Sequence, residues 1–259
     1  MALSSVAAAA LLVVVSAFPP APLAAQESRP VTATPFVAPT GPAPRLPNGK
    51  PDLNGVWQGP YVPDMTRRGR GQPAMELPYT AWGLQEWKSY DPVTGDSTGS
   101  CLPYGMSRSI NAPYPFRIIQ SATHLALLFE TNTWFHVVPI DGRDHPKDLE
   151  PTWFGYSVGR WDGDTLIVDT VGVNGYTKLD TIGHPHSDQL HLIQTFHRTD
   201  AGHIAHTVTI DDPKTYTRPW KYERTLTLQG GDLIEYSCEE NNRALWEGRI
   251  KRWTPPEHK

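Results

Sequence analysis

The sequence is poor in cysteine and in charge, and each shortage excludes a class of protein. Two Cys among 259 residues exclude a disulfide-dense miniprotein. Charged residues make up only 19% of the chain and 26 residues are proline, which excludes a coiled coil or another long-helix protein. Basic residues number 23 against 27 acidic ones, and no run of five Lys and Arg occurs. Nucleic acid is therefore not an expected partner.

Familiar catalytic signatures are also missing. The chain has no GxSxG, no P-loop, no HExxH, no CxxC, and no GxGxxG after a strand pattern. No motif in the sequence therefore supports a serine hydrolase of the GxSxG type, a nucleotide-dependent enzyme or a zincin. We therefore expect no cofactor.

The one long apolar run lies at the amino terminus. Residues 6–17 are Ala, Leu, Val and Ser only, too few to cross a bilayer, for which about 20 residues are needed. Proline and small residues follow, which is typical of a secretory signal peptide of residues 1–25 with cleavage before Gln26. We expect no membrane span and a periplasmic or secreted protein of unknown oligomeric state.

The rest of the chain divides by composition. Residues 26–47 are rich in proline and small residues that bury little apolar surface, which predicts a disordered tether. Residues 48–254 carry the regular patterns and are expected to form one domain, and residues 255–259 a tail. Leu53, Val56 and Trp57 are the first candidates for its core.

Period-two alternation of apolar and polar residues predicts half-buried strands through most of this domain. Turn sequences join the strands into three successive hairpins, at Asp162-Gly163, at residues 200–202 and at residues 230–232. The last hairpin would pair residues 223–228 with residues 233–238. Runs at 116–120, 125–129 and 133–139 form a fourth unit, and only Tyr79–Tyr90 is patterned as a helix.

This pattern predicts an all-β fold. Eight to ten strands in sequential hairpins with one short helix are typical of a single antiparallel up-and-down barrel or a strongly curved pair of sheets. A barrel of this size holds one small ligand, and we expect a small-molecule partner.

Histidines are clustered, with six of the ten between positions 184 and 206. The HxH spacing of His184 and His186 suits one metal ion, although Gly183 before them and Pro185 between them indicate a loop. We expect metal to be absent or loosely held, with these two as its ligands if it binds. His191 and His197 fall on the predicted outer face of their strand.

Several polar residues are candidates for a site. Gln194 falls on the core face of its strand, where a buried amide needs partners. Glu240 would enter a barrel mouth if the chain stayed extended after residue 238; the alternative is a carboxylate that accepts bonds from a turn or an Arg. Cys101 and Cys238 could form a disulfide that closes about 138 residues, or remain two buried thiols.

Seven segments of the chain together form a recognisable combination: Pro51–Trp57, Asn111–Phe116, Gly159–Leu166, Pro185–Asp188, Ile210–Lys214, Thr217–Trp220 and Cys238–Asn241. In these segments the chain resembles an uncharacterised family of secreted bacterial proteins, found in acidobacteria and proteobacteria. The resemblance covers about residues 48–242 and implies an exported single domain with a lipocalin-like barrel and no established reaction. His is common in that family at the place of Tyr156 and Glu at the place of Gln194, and both differ here.

Two functions are consistent with these features. The first is cofactor-free acid/base catalysis, of the isomerase, hydratase or lyase type, on a small apolar or aromatic compound. The alternative is a non-catalytic ligand-binding protein. In the catalytic version, His186 is the proton shuttle, Asp180 or Glu240 orients it, and Tyr156 is a possible acid. The groups expected to position the ligand are Asn174, Gln194, Asn241 and Arg117.

Overall fold

The strands form one antiparallel sheet. The computed structural model describes residues 36–240 and 242–255, so the predicted signal peptide, Asn241 and most of the predicted tail lie outside the described residues. The strands are β1 (Gly55–Gln58), β2 (Phe116–Gln120), β3 (His124–Phe129), β4 (Phe135–Pro139), β5 (Tyr156–Asp162), β6 (Thr165–Val171), β7 (His191–Arg198), β8 (His203–Asp211) and β9 (Trp220–Gln229). The all-β prediction is confirmed at this level.

The order of strands across the sheet is β4-β3-β2-β1-β9-β8-β7-β6-β5. Consecutive strands lie side by side, except β4 and β5, which form the two edges of the sheet. Strand β1 also pairs with β9, at Trp57↔Leu228. The hairpins at Asp162-Gly163 and at residues 200–202 are confirmed as β5–β6 and β7–β8. The fourth predicted unit is confirmed as β2–β3–β4.

The predicted third hairpin is wrong. Residues 230–240 contain no strand, and Ile234 is 67% exposed. The physical reason is that β9 already pairs with β8 on one side and β1 on the other, so no edge is free for residues 233–238. The assignment of Glu240 to a barrel mouth, which depended on that strand's alternation, loses its basis.

The described part of the chain contains three α-helices rather than one. Helix α1 (Ala81–Ser89) lies within the predicted segment and begins at Thr80, whose hydroxyl accepts the Gly83 N–H at 3.0 Å. Helices α2 (Met106–Ile110) and α3 (Arg243–Trp246) are too short to give a periodic pattern. None of the helices among the described residues is long and apolar enough to cross a membrane.

The core lies on one face of the sheet. The predicted anchors Leu53, Val56 and Trp57 are buried, as is the predicted inner face of β7. On the outer face of β7, His197 is exposed and His191 is half-buried, bonded to Asp169 at 2.9 Å. The period-two alternation therefore assigns the two faces of β7 correctly.

The first described residues lie against the sheet's turns. Gly41 accepts a hydrogen bond from the backbone of Ala201 at 2.9 Å. Arg45 forms two bonds with the carboxylate of Asp164, at 2.9 and 2.5 Å. Residues 36–47, part of the predicted tether, thus contact two hairpin turns.

The two edge strands, β4 and β5, approach each other. The His136 Nε2 of β4 lies 2.7 Å from the Ser157 hydroxyl of β5, and Gly142 donates its N–H to the Gly159 carbonyl at 3.2 Å. A Cβ at Gly159 would lie 2.8 Å from Ile140, so glycine permits this contact.

Candidate functional site

His186, the predicted proton shuttle, is buried with both ring nitrogens occupied. Its Nδ1 lies 3.0 Å from the Ser187 carbonyl, which can only accept, so Nδ1 carries the proton. Its Nε2 then accepts from the Thr177 hydroxyl at 2.6 Å. Burial lowers the pKa of His186, which favours the neutral ring. The catalytic role of His186 stays a prediction, and this geometry is that of a structural hydrogen-bonding group.

Asp180, a predicted orienting carboxylate, orients His184 instead. The Asp180 side chain is fully buried, and its Oδ2 accepts the His184 Nδ1–H at 2.6 Å. It also accepts three backbone N–H groups, from Met65 at 2.8 Å and from Gly183 and His184 at 3.1 Å each. The His184 ring stacks on Trp87, with centroids 4.4 Å apart. Asp180 thus ties residues 180–184 to the segment at Met65.

The geometry of the HxH pair differs from that of a two-histidine metal site. His184 and His186 have different partners, and the group with metal-ligand spacing in the described part of the chain is Asp64, Asp180 and His184. Asp180 already accepts four hydrogen bonds, and Asp64 bonds Thr66 and Arg67. These contacts satisfy the carboxylates without an ion.

The other predicted site residues are dispersed. Tyr156 packs against Gly172 at the start of β5, and Glu240 is exposed. No hydrogen bond or ion pair joins either of them to His186 within the described residues. Asn174 caps a turn through Tyr176 at 3.1 Å. Arg117 forms a surface ion pair with Asp232, and Asn241 lies outside the described residues.

Gln194 is fully buried, and one half of its amide is satisfied. Its Oε1 accepts the His206 Nε2–H at 3.1 Å across the β7–β8 pair. The Gln194 Nε2 and the His206 Nδ1 have no hydrogen-bond partner among the described residues. Burial, and secondarily the charge of Arg224, lowers the pKa of His206 to about 3. This pair is a neutral polar contact inside the core.

An open cavity of about 470 Å³ lies at the start of β4, and we call it the aromatic cavity. The Phe154 ring stacks on His136 with centroids 5.9 Å apart and meets Trp134 edge-on at 6.2 Å. Phe135 is 66% exposed at its rim. Its lining residues are Pro103, Asn132, Thr133, Trp134, Phe135, His136, Thr152, Trp153, Phe154 and Gly155.

A short polar network lies behind this cavity. The His136 Nε2 is 2.7 Å from the Ser157 hydroxyl, which is 2.7 Å from the Thr170 hydroxyl. All three residues are buried, and burial lowers the pKa of His136 to about 4. The imidazole at the cavity is therefore neutral at pH 7 and can donate or accept a hydrogen bond.

The cavity rim is held in a strained backbone. Asn132 and Thr133 have φ values of 56° and 53°, which non-glycine residues seldom adopt and which cluster at functional sites. Asn132 accepts the Cys238 N–H at 2.6 Å, and Glu130 accepts the Ile234 N–H at 3.0 Å. Residues 230–240 therefore fasten the rim.

The predicted disulfide is present. Cys101 and Cys238 are bonded, with Cα atoms 5.5 Å apart and a sequence separation of 137. The bond links residues 230–240 to the segment that immediately precedes Pro103, a residue of the cavity lining.

The sequence patterns do not indicate His136 and Ser157 as site residues. Their positions are 21 residues apart on the two edge strands, so neither lies in a motif. The available signal was the aromatic density of residues 134–136 and 153–154 on both sides of one loop. Aromatic residues in a β-protein usually belong to the core, which is why that signal did not distinguish a site.

The buried neutral histidines predict a pH-dependent stability. An unfolded His binds a proton near pH 6.5, whereas folded His136 and His206 have pKa values of about 4 and about 3. Between these pKa values the unfolded chain binds more protons than the folded chain. The contribution of the two neutral rings to the free energy of unfolding is therefore full above about pH 6.5 and decreases as the pH falls. Each ring should contribute a loss of about 2 kcal/mol between pH 7.5 and pH 5, measured by urea unfolding.

The variant His136→Gln should remove about 2 kcal/mol of that pH dependence, whereas His197→Gln, at an exposed ring, should leave it unchanged. An unchanged slope in His136→Gln would contradict a buried, neutral His136.

Comparison of the chain with known protein families, with curated proteins and with solved structures yields no match in any of the three.

Proposed function

We propose that this protein binds a small, neutral, aromatic or apolar molecule in the aromatic cavity. The observation that carries the proposal is a cavity of about 470 Å³ in which aromatic rings surround one neutral imidazole. Small-molecule sites are typically concave, largely apolar and provided with a few polar groups that fix orientation. Trp134, Trp153 and Phe154 supply the ring faces and edges, and His136 supplies the polar group.

The strained turn supports this assignment. Thr133 is β-branched, so its left-handed backbone costs free energy that the surrounding contacts must offset. The hydrogen bond from Cys238 to Asn132 and the disulfide provide such contacts. A rim fixed in this way offers a ligand a preorganised surface, which lowers the entropic cost of binding.

Barrel closure and export belong to the same proposal. The approach of β4 and β5 at His136–Ser157 and Gly142–Gly159 supports a sheet curled into a barrel, with the seam at the cavity. The disulfide fits an oxidising compartment, and the apolar run at residues 6–17 fits a signal peptide. The proposal includes membership of the secreted bacterial family that the chain resembles.

A second candidate is cofactor-free acid/base chemistry at the same place. The 2.7 Å contact between the His136 Nε2 and the Ser157 hydroxyl favours it, since a neutral imidazole accepts a proton from a hydroxyl or a substrate. Against it, no carboxylate bonds His136 in the described part of the chain, and a pKa of about 4 makes a weak base at pH 7. Binding is therefore the better supported function.

Titration with the neutral fluorophore N-phenyl-1-naphthylamine tests the proposal. We expect saturable binding with enhanced emission, and we expect Trp153→Ala to weaken it at least about tenfold, because a stacking face is lost. Phe135→Ala should weaken binding as well without loss of stability, since Phe135 is exposed on an edge strand.

The matched control is Trp246→Ala, which removes a 65% exposed indole in α3, outside the cavity lining. Equal affinities of Trp153→Ala and the wild type, or equal losses in Trp153→Ala and Trp246→Ala, would refute binding in the aromatic cavity.

A further inference from the structure

A second cleft, of about 690 Å³, lies where residues 65–75 cover β9. It shares no lining residue with the aromatic cavity, and we call it the basic cleft. Four of its lining residues are cationic and one is anionic. The lining comprises Met65, Thr66, Arg67, Arg68, Gln72, Pro73, Ala74, Met75, Lys221, Tyr222, Glu223 and Arg224.

Two of the four cations are already paired. Arg67 bonds the Asp64 carboxylate at 2.8 Å, and Lys221 lies 3.4 Å from Glu223. Arg68 is exposed and forms no ion pair or hydrogen bond within the described residues. The cleft therefore presents Arg68 and Arg224 as charges without a carboxylate partner.

Arg224 is the unusual member, because it is a buried cation. The residue is 7% exposed, and among the described residues its guanidinium donates only to backbone carbonyls, those of Glu223, Met65 and Arg67. Its Nε–H is buried without a partner in the described part of the chain. Buried charges in proteins are normally paired, so Arg224 has the donor capacity and the charge to hold an anion.

Arg198 shows how a buried arginine is satisfied in this fold without a ligand. It is 6% exposed, donates from Nε, Nη1 and Nη2 to three carbonyls, and lies 5.0 Å from the Trp57 ring. No nitrogen of its side chain is left without a partner among the described residues. Arg224 also lies 5.0 Å from an aromatic ring, that of Tyr222, so it differs only in its unpartnered Nε–H and in lining an open cleft.

We propose that the basic cleft binds a small organic oxyanion, a carboxylate or a phosphate ester, between Arg224 and Arg68. A planar guanidinium matches either group through parallel N–H···O bonds. Met65, Pro73 and Met75 give the cleft an apolar part that suits an organic body rather than a bare ion. This site is independent of the proposed function at the aromatic cavity.

Calorimetric titration at low salt with benzoate, phenyl phosphate and the neutral isostere benzamide tests this site. We expect at least one of the two anions to bind at least about tenfold more tightly than benzamide, and the tighter one identifies the oxyanion class. Arg224→Gln should weaken that anion at least about tenfold, as should Arg68→Gln, an exposed substitution that leaves the fold intact.

Arg198→Gln is the matched control, since it also removes a buried arginine but lies outside the cleft. It should lower stability while leaving anion affinity within about twofold. Trp153→Ala should likewise leave anion affinity unchanged. The proposal is overturned if neither anion binds better than benzamide, if Arg198→Gln and Arg224→Gln weaken binding equally, or if Arg68→Gln has no effect. It is also overturned if only Trp153→Ala abolishes anion binding, which would assign the anion to the aromatic cavity.

Discussion

Replacing Asp180 with alanine is expected to lower the free energy of unfolding by about 3–5 kcal/mol. The substitution leaves three backbone N–H groups, from Met65, Gly183 and His184, buried without their acceptor. It also frees the His184 ring from its 2.6 Å bond. In a domain of this size, such a loss corresponds to a decrease in Tm of roughly 6–20 °C, measurable by thermal unfolding.

The matched control is Asp188→Asn, because the Asp188 side chain is 61% exposed and its nearest cation, Lys214, is 3.5 Å away. We expect that control to change stability by no more than about 0.5 kcal/mol. A wild-type Tm in Asp180→Ala would mean that Asp180 does not hold the loop, and would restore the sequence-based hypothesis that it serves catalysis.

Removing the disulfide with the double substitution Cys101→Ala and Cys238→Ala is expected to destabilise the protein by up to about 5 kcal/mol. The bond spans 137 residues, and the loss of a cross-link over so long a segment gives the unfolded chain much more conformational freedom. Guanidinium unfolding of the oxidised wild type and of the double variant measures the difference.

The same substitution should weaken N-phenyl-1-naphthylamine binding under conditions in which both proteins are folded. Cys238 donates its N–H to Asn132, and loosening residues 230–240 releases the strained turn at the cavity rim. Reduced wild type serves as the control, since it should match the double variant in both stability and affinity. Unchanged affinity in both would show that the disulfide stabilises the fold without shaping the cavity.

The strands show where sequence patterns are sufficient. In β5 to β8, alternation and turn residues agree, and the observed hairpins follow the predicted ones closely. The same rule failed for residues 233–238, where alternation and the Gly230-Gly231 turn are equally clear. A local pattern shows only that a segment can form a strand. Residues 233–238 would also need a free edge of β9, and that edge pairs with β1, which lies more than 170 residues earlier in the chain.

The histidines give the corresponding lesson for the site. Their clustering predicted a site within residues 184–206. In the structure, His184 bonds to Asp180, and His186 bonds to Thr177 and Ser187. The imidazole in the lining of the aromatic cavity is His136, outside the cluster. Spacing along the chain cannot identify the hydrogen-bond partner of a buried ring when the partner comes from another segment.

By itself, the sequence determined the all-β class and most of the strands with their buried faces. These follow from interactions among neighbouring residues: side chains alternate along a strand, and turns require particular residues. Only the tertiary structure decided that β1 joins β9, that β4 meets β5 at His136 and Ser157, and that Arg224 is buried without a carboxylate. The reason is that the burial of apolar side chains determines which face of a strand is buried, but not which segment packs against it. The hydrogen-bond partners of each buried polar group therefore depend on the distant strand or loop that covers it.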